Sequence, residues 1–207
     1  MRRLWLLFLL AASAAFPQSF SVGVKGGVPL ADAFKVTDRS RYFSDKAPYV
    51  IGPAVELYLP LGLSAEVDVL YRNLEYSSRI QFESPVMPQF FSEARTTGQV
   101  WEFPFLAKYR VPGVLVRPFV SAGLSYRYLA RLRTRSTVAG STDRPPELTG
   151  HNAVGPTLGA GLEFKVRRVR LSSEVRYTRW GTSSFREALS GFASQLNQAD
   201  LLLGIAF

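Results

Sequence analysis

The sequence predicts an all-β fold: an eight-stranded, antiparallel, up-and-down transmembrane β-barrel preceded by a cleaved signal peptide. Three observations carry this expectation. Apolar and polar residues alternate over segments of about ten residues or more, longer than the 5–6 residues usual in soluble strands and close to the 9–11 of a tilted membrane strand. The connections between these segments are alternately very short and long. Nearly all the charges within the segments fall on one face.

The N-terminal element is the signal peptide, residues 1–15, leaving 16–207 as the barrel domain. Arg2 and Arg3 form a basic start, Leu4–Ala12 a short apolar core and Ala12-Ser13-Ala14 a small-x-small cleavage site. The competing reading is a buried N-terminal helix, but nothing downstream offers helical partners. No run reaches the 18 or so apolar residues of a membrane helix, so a chain that crosses a bilayer must do so with strands. Cysteine is absent, which removes disulfides and thiolate-bound metals from consideration. Lys and Arg number 25 against 16 Asp and Glu, a net charge of +9. Export argues against nucleic acid as the anionic partner and favours phosphate-bearing surface lipid.

The strands follow in order. Phe20–Val28 sets Phe20, Val22 and Val24 against Ser21, Gly23 and Lys25. Val50–Leu59 sets Ile51, Val55 and Leu57 against Gly52, Ala54 and Glu56. Leu63–Leu74 sets Leu63, Ala65, Val67 and Tyr71 against Ser64, Glu66, Asp68 and Arg72. Gln99–Val111 sets Trp101, Phe103, Phe105 and Tyr109 against Glu102, Pro104, Lys108 and Arg110. Val116–Leu129 sets Val120, Leu124, Tyr126 and Tyr128 against Ser121, Ser125 and Arg127. The clearest hairpin, Val154 to Trp180, supplies two strands turning at Arg167-Arg168, with Leu158, Leu162, Phe164, Val175 and Tyr177 on one face and Glu163, Lys165, Glu174 and Arg176 on the other. Gln198–Phe207 closes the set, with Leu201, Leu203 and Ile205 opposite Gln198 and Asp200. Successive side chains point to opposite faces of a strand, so each segment has one apolar and one polar face.

Tight links at Pro60-Leu61-Gly62, Pro112-Gly113 and Arg167-Arg168 alternate with long segments at about residues 29–49, 75–98, 130–151 and 181–197. Short periplasmic turns and longer outer loops describe an outer-membrane barrel, with both termini periplasmic. Proline cannot donate to a ladder, so Pro104, inside a strand, predicts a bulge or a lost bond.

The polar face carries the expected lumen network: Lys25, Glu56, Glu66, Asp68, Arg72, Glu102, Lys108, Arg127, Glu163, Glu174 and Arg176, with Arg110, Lys165, Arg170 and Asp200. A basic residue facing lipid at mid-membrane costs about 2–4 kcal/mol, and an unpaired one inside costs several kcal/mol more. Placing both signs in one lumen avoids both penalties. Eight strands leave an interior just wide enough for side chains to fill, so the lumen is expected to be plugged by salt bridges. Tyr71, Trp101, Tyr109, Tyr126, Tyr128, Tyr177 and Phe207 lie near strand ends and suit interfacial girdles, although aromatics favour strands in any case.

Several of these segments resemble a known family. Trp101–Tyr109, Arg117–Leu124, Gly159–Phe164, Glu174–Tyr177 and the closing Leu203–Phe207 are similar, in order and spacing, to the bacterial outer-membrane protein β-barrel domain family, which includes PorT-like proteins. The resemblance spans nearly all of the chain after the signal. It implies an eight-stranded barrel in the outer membrane of a Gram-negative-type cell, and no reaction. A terminal aromatic such as Phe207 resembles the signal read by the barrel-assembly machinery, which implies that machinery as a partner of the C-terminal strand.

Candidate chemistry is sparse. His151 is the single histidine, and with Ser125 or Ser136 and Glu147 it could form a lipid-modifying site of the Ser-His-carboxylate kind; a rim histidine is the simpler reading. No catalytic residues, cofactor or metal are therefore assigned. Gly159-Ala160-Gly161 is not a nucleotide fingerprint, since Phe164 stands where the third glycine belongs; a crowded lumen explains lumen-facing glycine better. Glu66 and Asp68 could pair as acid and base but have basic neighbours. Arg131, Arg133 and Arg135 alternate beyond the fifth strand and could grip lipopolysaccharide phosphates, or simply be solvated. The expected role is a structural or surface-interaction barrel. A small-solute channel or carrier and an outer-leaflet lipid-modifying enzyme are the alternatives, and a charged inward face disfavours a lipocalin-like binder.

Overall fold

The computed structural model describes residues 20–31, 34–36, 42–43, 49–84, 87–111, 115–136, 140–142, 150–166, 169–182, 192–194 and 196–207. The signal segment, residues 1–15, and the turns at Pro112-Gly113 and Arg167-Arg168 lie outside them. Eight strands form the wall: β1 (Phe20–Ala31), β2 (Val50–Tyr58), β3 (Leu63–Asp68, continued past Val69 as Leu70–Ser84), β4 (Met87–Arg110), β5 (Val116–Ser136), β6 (Asn152–Val166), β7 (Val169–Arg179) and β8 (Asn197–Ala206). Each pairs antiparallel with the next, and β8 pairs back onto β1 with Val24 opposite Ile205 and Val28 opposite Leu201, so the barrel is closed. Closure is what a membrane sheet needs, because no unpaired edge is then left in lipid.

The registers fix the girth. Cross-strand partners lead from Phe20 through Leu57, Ala65, Ala107, Ala122, Leu158, Tyr177 and Ala199 back to β1 at Ala31. Discounting the bulge between Pro29 and Ala31, the circuit is staggered by about ten residues. With about 3.3 Å rise per residue and about 4.8 Å between strands, that stagger tilts the strands by about 40° and gives a backbone radius of about 8 Å, within the usual range for eight strands.

Burial alternates as the sequence implies. On β1 the residues from Phe20 to Lys25 alternate exposed and buried, and Leu63–Asp68 and Asn152–Thr157 do the same. The exposed set is apolar, including Val22, Ile51, Val67, Phe105, Val120, Leu158, Val175 and Leu203. The buried set is largely polar. This inversion of a soluble core is stable only where hydrocarbon covers the outside.

Three features depart from the expected boundaries. β3 runs on to Ser84, β4 starts at Met87 and β5 runs to Ser136, where long loops were expected after Leu74, before Gln99 and after Leu129. The period-2 signal fades there because neither face needs to be apolar outside the bilayer, while the backbone ladder continues. Short strands extend this taller part of the wall: Tyr42–Phe43 pairs with β3 and Gly140–Thr142 with β5, and Phe34–Val36 pairs with Phe192–Ser194 in a separate two-stranded sheet. At Pro104 there is no bulge. The β3–β4 ladder has a gap there, between Val67 opposite Phe105 and Leu70 opposite Glu102, with the register unshifted. A bulge falls instead earlier on β4 and late on β5. Thr97 pairs with Arg133 and Gln99 with Ala130, so two residues of β5 stand against Gly98 alone, and the first of them, Arg131, has φ 50°.

The link between β2 and β3 is a single 3₁₀ turn, Pro60–Gly62. Gly62 takes φ 78°, and a Cβ there would lie 2.6 Å from the Arg110 carbonyl oxygen, so this position requires glycine.

Candidate functional site

Side chains from all eight strands enter the lumen. In its half nearer the short turns, Arg176 of β7 donates from Nη1 to Asp68 at 2.7 Å, from Nη2 to Glu66 at 3.1 Å and Glu174 at 2.9 Å, and from Nε to Glu174 at 3.0 Å. Lys25 of β1 donates to Glu66, to Glu174 at 3.1 Å and to Asp68 at 3.4 Å. Lys108 reaches Glu66 as well, and its ammonium lies 4.4 Å from the Phe119 ring centre. Glu66 and Asp68, considered above as an acid/base pair, thus share the same two cations. Arg110 pairs with Glu56, with Glu163 at 2.9 Å and with Ser64 at 2.9 Å. Its guanidinium and that of Arg170 lie 4.9 and 4.2 Å from the ring of Tyr58, a cation–π arrangement. A polar cavity of ≈ 30 Å³ remains among Ser21, Lys25, Glu56, Tyr58 and Glu163, enough for one or two waters.

Toward the long connections the groups change. Arg72 donates to both oxygens of Asp200, at 2.9 and 3.1 Å, and lies 3.5 Å from Glu102. Gln198 bridges Glu102 and Asp200 and accepts from the Trp180 indole N–H at 2.9 Å. Arg127 stacks on Trp180 at 4.3 Å. Ser125, Thr157 and Thr178 form a hydroxyl chain at 2.6 and 3.0 Å. Val50, Leu70 and Leu202 form an apolar cluster, with Leu70 between Asp68 and Arg72 on the inner face of β3 and Leu202 next after Asp200 on that of β8. Further toward the long connections Val100, Leu129, Ala153 and Trp180 are also buried.

Crowding accounts for a lumen glycine: a Cβ on Gly159 would meet Ser121 Oγ at 2.4 Å and Glu174 Oε1 at 2.5 Å. Alanine would have to displace the Glu174 carboxylate from Arg176.

The outer face carries aromatics toward both ends, with Phe20, Tyr109, Phe164 and Phe207 nearer the short turns and a second set nearer the long connections. Tyr71 pairs with Trp101 and Trp101 with Tyr128 across β3, β4 and β5, the first two rings packed edge-on at 5.2 Å. Tyr126 donates to Asn152 at 3.1 Å and Tyr177 to Asn197 at 2.8 Å. Amphipathic rings at the end of an apolar band match the interfacial girdle of membrane barrels.

Arg131, Arg133 and Arg135 are exposed on β5. Arg127, on the inward face of the same strand, is buried against Trp180. His151 is exposed where β6 begins, and its carbonyl accepts from the Leu129 N–H at 2.8 Å. Ser125 is buried in the lumen opposite Gly155, four positions further down β6 and so about 13 Å away along the strand. The two do not form a nucleophile and base. The side chains of Ser136 and Glu147 lie outside the described residues. The Trp180–Gln198–Glu102 chain and the hydroxyl chain were not anticipated; the inward parity of Gln198, Thr157 and Thr178 was their only signal.

A closed strand cylinder that is apolar outside, aromatic at a rim and ion-paired within defines a membrane-spanning β-barrel. The sequence matches the family model described as outer membrane protein beta-barrel domain over residues 13–184. The chain belongs to that family, whose place is the bacterial outer membrane. Among solved structures it is similar to Neisserial surface protein A (13% identity, TM-score 0.44, 90% of this chain and 95% of that one). It is also similar to Ail, the attachment invasion locus protein of Yersinia pestis (14%, 0.44, 92% and 97%), and to OprG of Pseudomonas aeruginosa (10%, 0.44, 92% and 96%). No curated protein sequence matches it.

Proposed function

We propose that this is a non-catalytic outer-membrane barrel with a structural or surface-interaction role, its lumen closed to solutes. The observation that carries the reading is the lumen network, in which Glu66 alone engages Lys25, Lys108 and Arg176. The mature domain is 16–207 after loss of the signal, both termini are periplasmic, and the barrel-assembly machinery reads the last strand. The basic outer rim of Arg131, Arg133 and Arg135 meets lipopolysaccharide phosphates. Purified protein in planar bilayers is expected to leave conductance at background. Discrete, protein-dependent steps would favour the small-solute channel instead.

Orientation is tested separately. The chain has no cysteine, so an introduced one is unique. On intact cells a membrane-impermeant maleimide is expected to label Thr182→Cys, between β7 and β8, and to spare Leu61→Cys, in the β2–β3 turn and 89% exposed, until the outer membrane is permeabilised. The reverse pattern would invert the assignment.

A further inference from the structure

The bulge at Arg131 has a geometric consequence on the outer wall. Before it, even-numbered residues of β5 face outward, Tyr128 opposite Trp101; after it, odd-numbered residues do, Arg133 opposite Thr97. Without the extra residue Tyr128 and Arg133 would lie on opposite faces. With it, Tyr128, Arg131, Arg133, Thr97 and His151 line one cleft of ≈ 640 Å³ beside the start of β6. This arrangement is kept although Arg131 sits at φ 50°, a conformation that glycine adopts most readily. A backbone outlier held at a cleft is the observation from which a site is argued.

We infer that this cleft receives a phosphosugar head group of an outer-leaflet lipid. Two arginines, two hydroxyl-bearing side chains and a histidine are among its lining residues, beside Leu129 and Ala130. Forked guanidinium donors match phosphate geometry. The volume falls in the range of small-molecule sites, about 300–1,000 Å³, more than a lone phosphate fills; the surplus accommodates a sugar. The cleft lies directly beyond the Tyr71–Trp101–Tyr128 row, at the level where head groups begin. Arg135, one alternation further, is not part of it. The inference rests on the reading that the outer rim meets lipopolysaccharide, and makes that contact a discrete site in place of a diffuse basic surface.

The test is native mass spectrometry of the full mature chain titrated with bisphosphorylated lipid A, the same lipid after dephosphorylation, and inorganic phosphate. Arg131→Gly suits the bulge backbone, so its unfolding midpoint should match or exceed the wild type, yet lipid A binding is expected to fall about tenfold. Arg133→Ala should do the same and serves as the second cation variant. Tyr128→Phe and His151→Ala should each weaken binding a few-fold, and Arg135→Ala should leave it unchanged. Equal losses from Arg135→Ala and Arg131→Gly would overturn the cleft while leaving the rim reading intact. A wild-type protein that binds dephosphorylated lipid equally well would overturn the rim reading itself. Displacement of lipid A by inorganic phosphate at equal concentration would assign the site to a free anion and overturn the head-group inference.

Discussion

Arg176→Met is expected to destabilise the folded barrel by about 3–5 kcal/mol, the range found when one partner of a buried ion pair is removed. Arg176 is 2% exposed and donates to Glu66, Asp68 and Glu174. Methionine fills much of the same volume, so the cost is mainly electrostatic: three carboxylates are left to Lys25 and Lys108, and only Glu66 of the three borders the small cavity. Arg176→Lys keeps the charge but lacks the planar fork that reaches three acceptors at once, and should fall between wild type and methionine. Urea unfolding in lipid vesicles, followed by the heat-modifiable gel shift, measures both. A loss below about 1 kcal/mol for methionine would mean that water already screens the lumen, and the closed-lumen reading would fail with it.

The second large effect is expected at adjacent residues of β8. Leu203 is 62% exposed on the outer face and Leu202 is 1% exposed in the lumen cluster with Val50 and Leu70. Leu203→Arg should cost about 2–4 kcal/mol near the bilayer midplane. Leu203→Ala should cost much less, because acyl chains close over the missing atoms and no cavity remains. Leu202→Ala should cost about 2–5 kcal/mol, because its neighbours are fixed on other strands and cannot collapse into the void. Similar losses from the two alanine variants would mean that the outer face packs against protein, not lipid.

How far the sequence is legible depends on whether the bilayer imposes a pattern. Between the rims the pattern is strict: Val24 and Lys25, or Val175 and Arg176, have to face opposite ways, and each is placed as its parity requires. Above the rim the requirement lapses, and the extensions of β3, β4 and β5 carry too little alternation to be told from loops. Parity also says which side chains are inside without saying which ones meet. That Arg72 takes Asp200, a partner 128 positions away, depends on the tilt and stagger of the whole cylinder, which no single strand encodes. The phase change at Arg131 is hidden for a related reason. A bulge is specified by its partner strand, here Gly98 on β4, and a lone arginine carries no mark of a positive φ.

The stagger that sets the girth also bears on how the molecule is assembled. Arg176 on β7 finds Glu66 and Asp68 on β3, four strands away round either side. Lys25 on the first strand reaches Glu174 on β7 across the closing seam. These contacts therefore cross the lumen and form only as the first and last strands meet. A half-inserted, still-open sheet would present bare ions to hydrocarbon along one whole surface. Partly formed intermediates in the bilayer are therefore disfavoured twice, by an unsatisfied seam and by uncompensated charge, and insertion should proceed as a single concerted event.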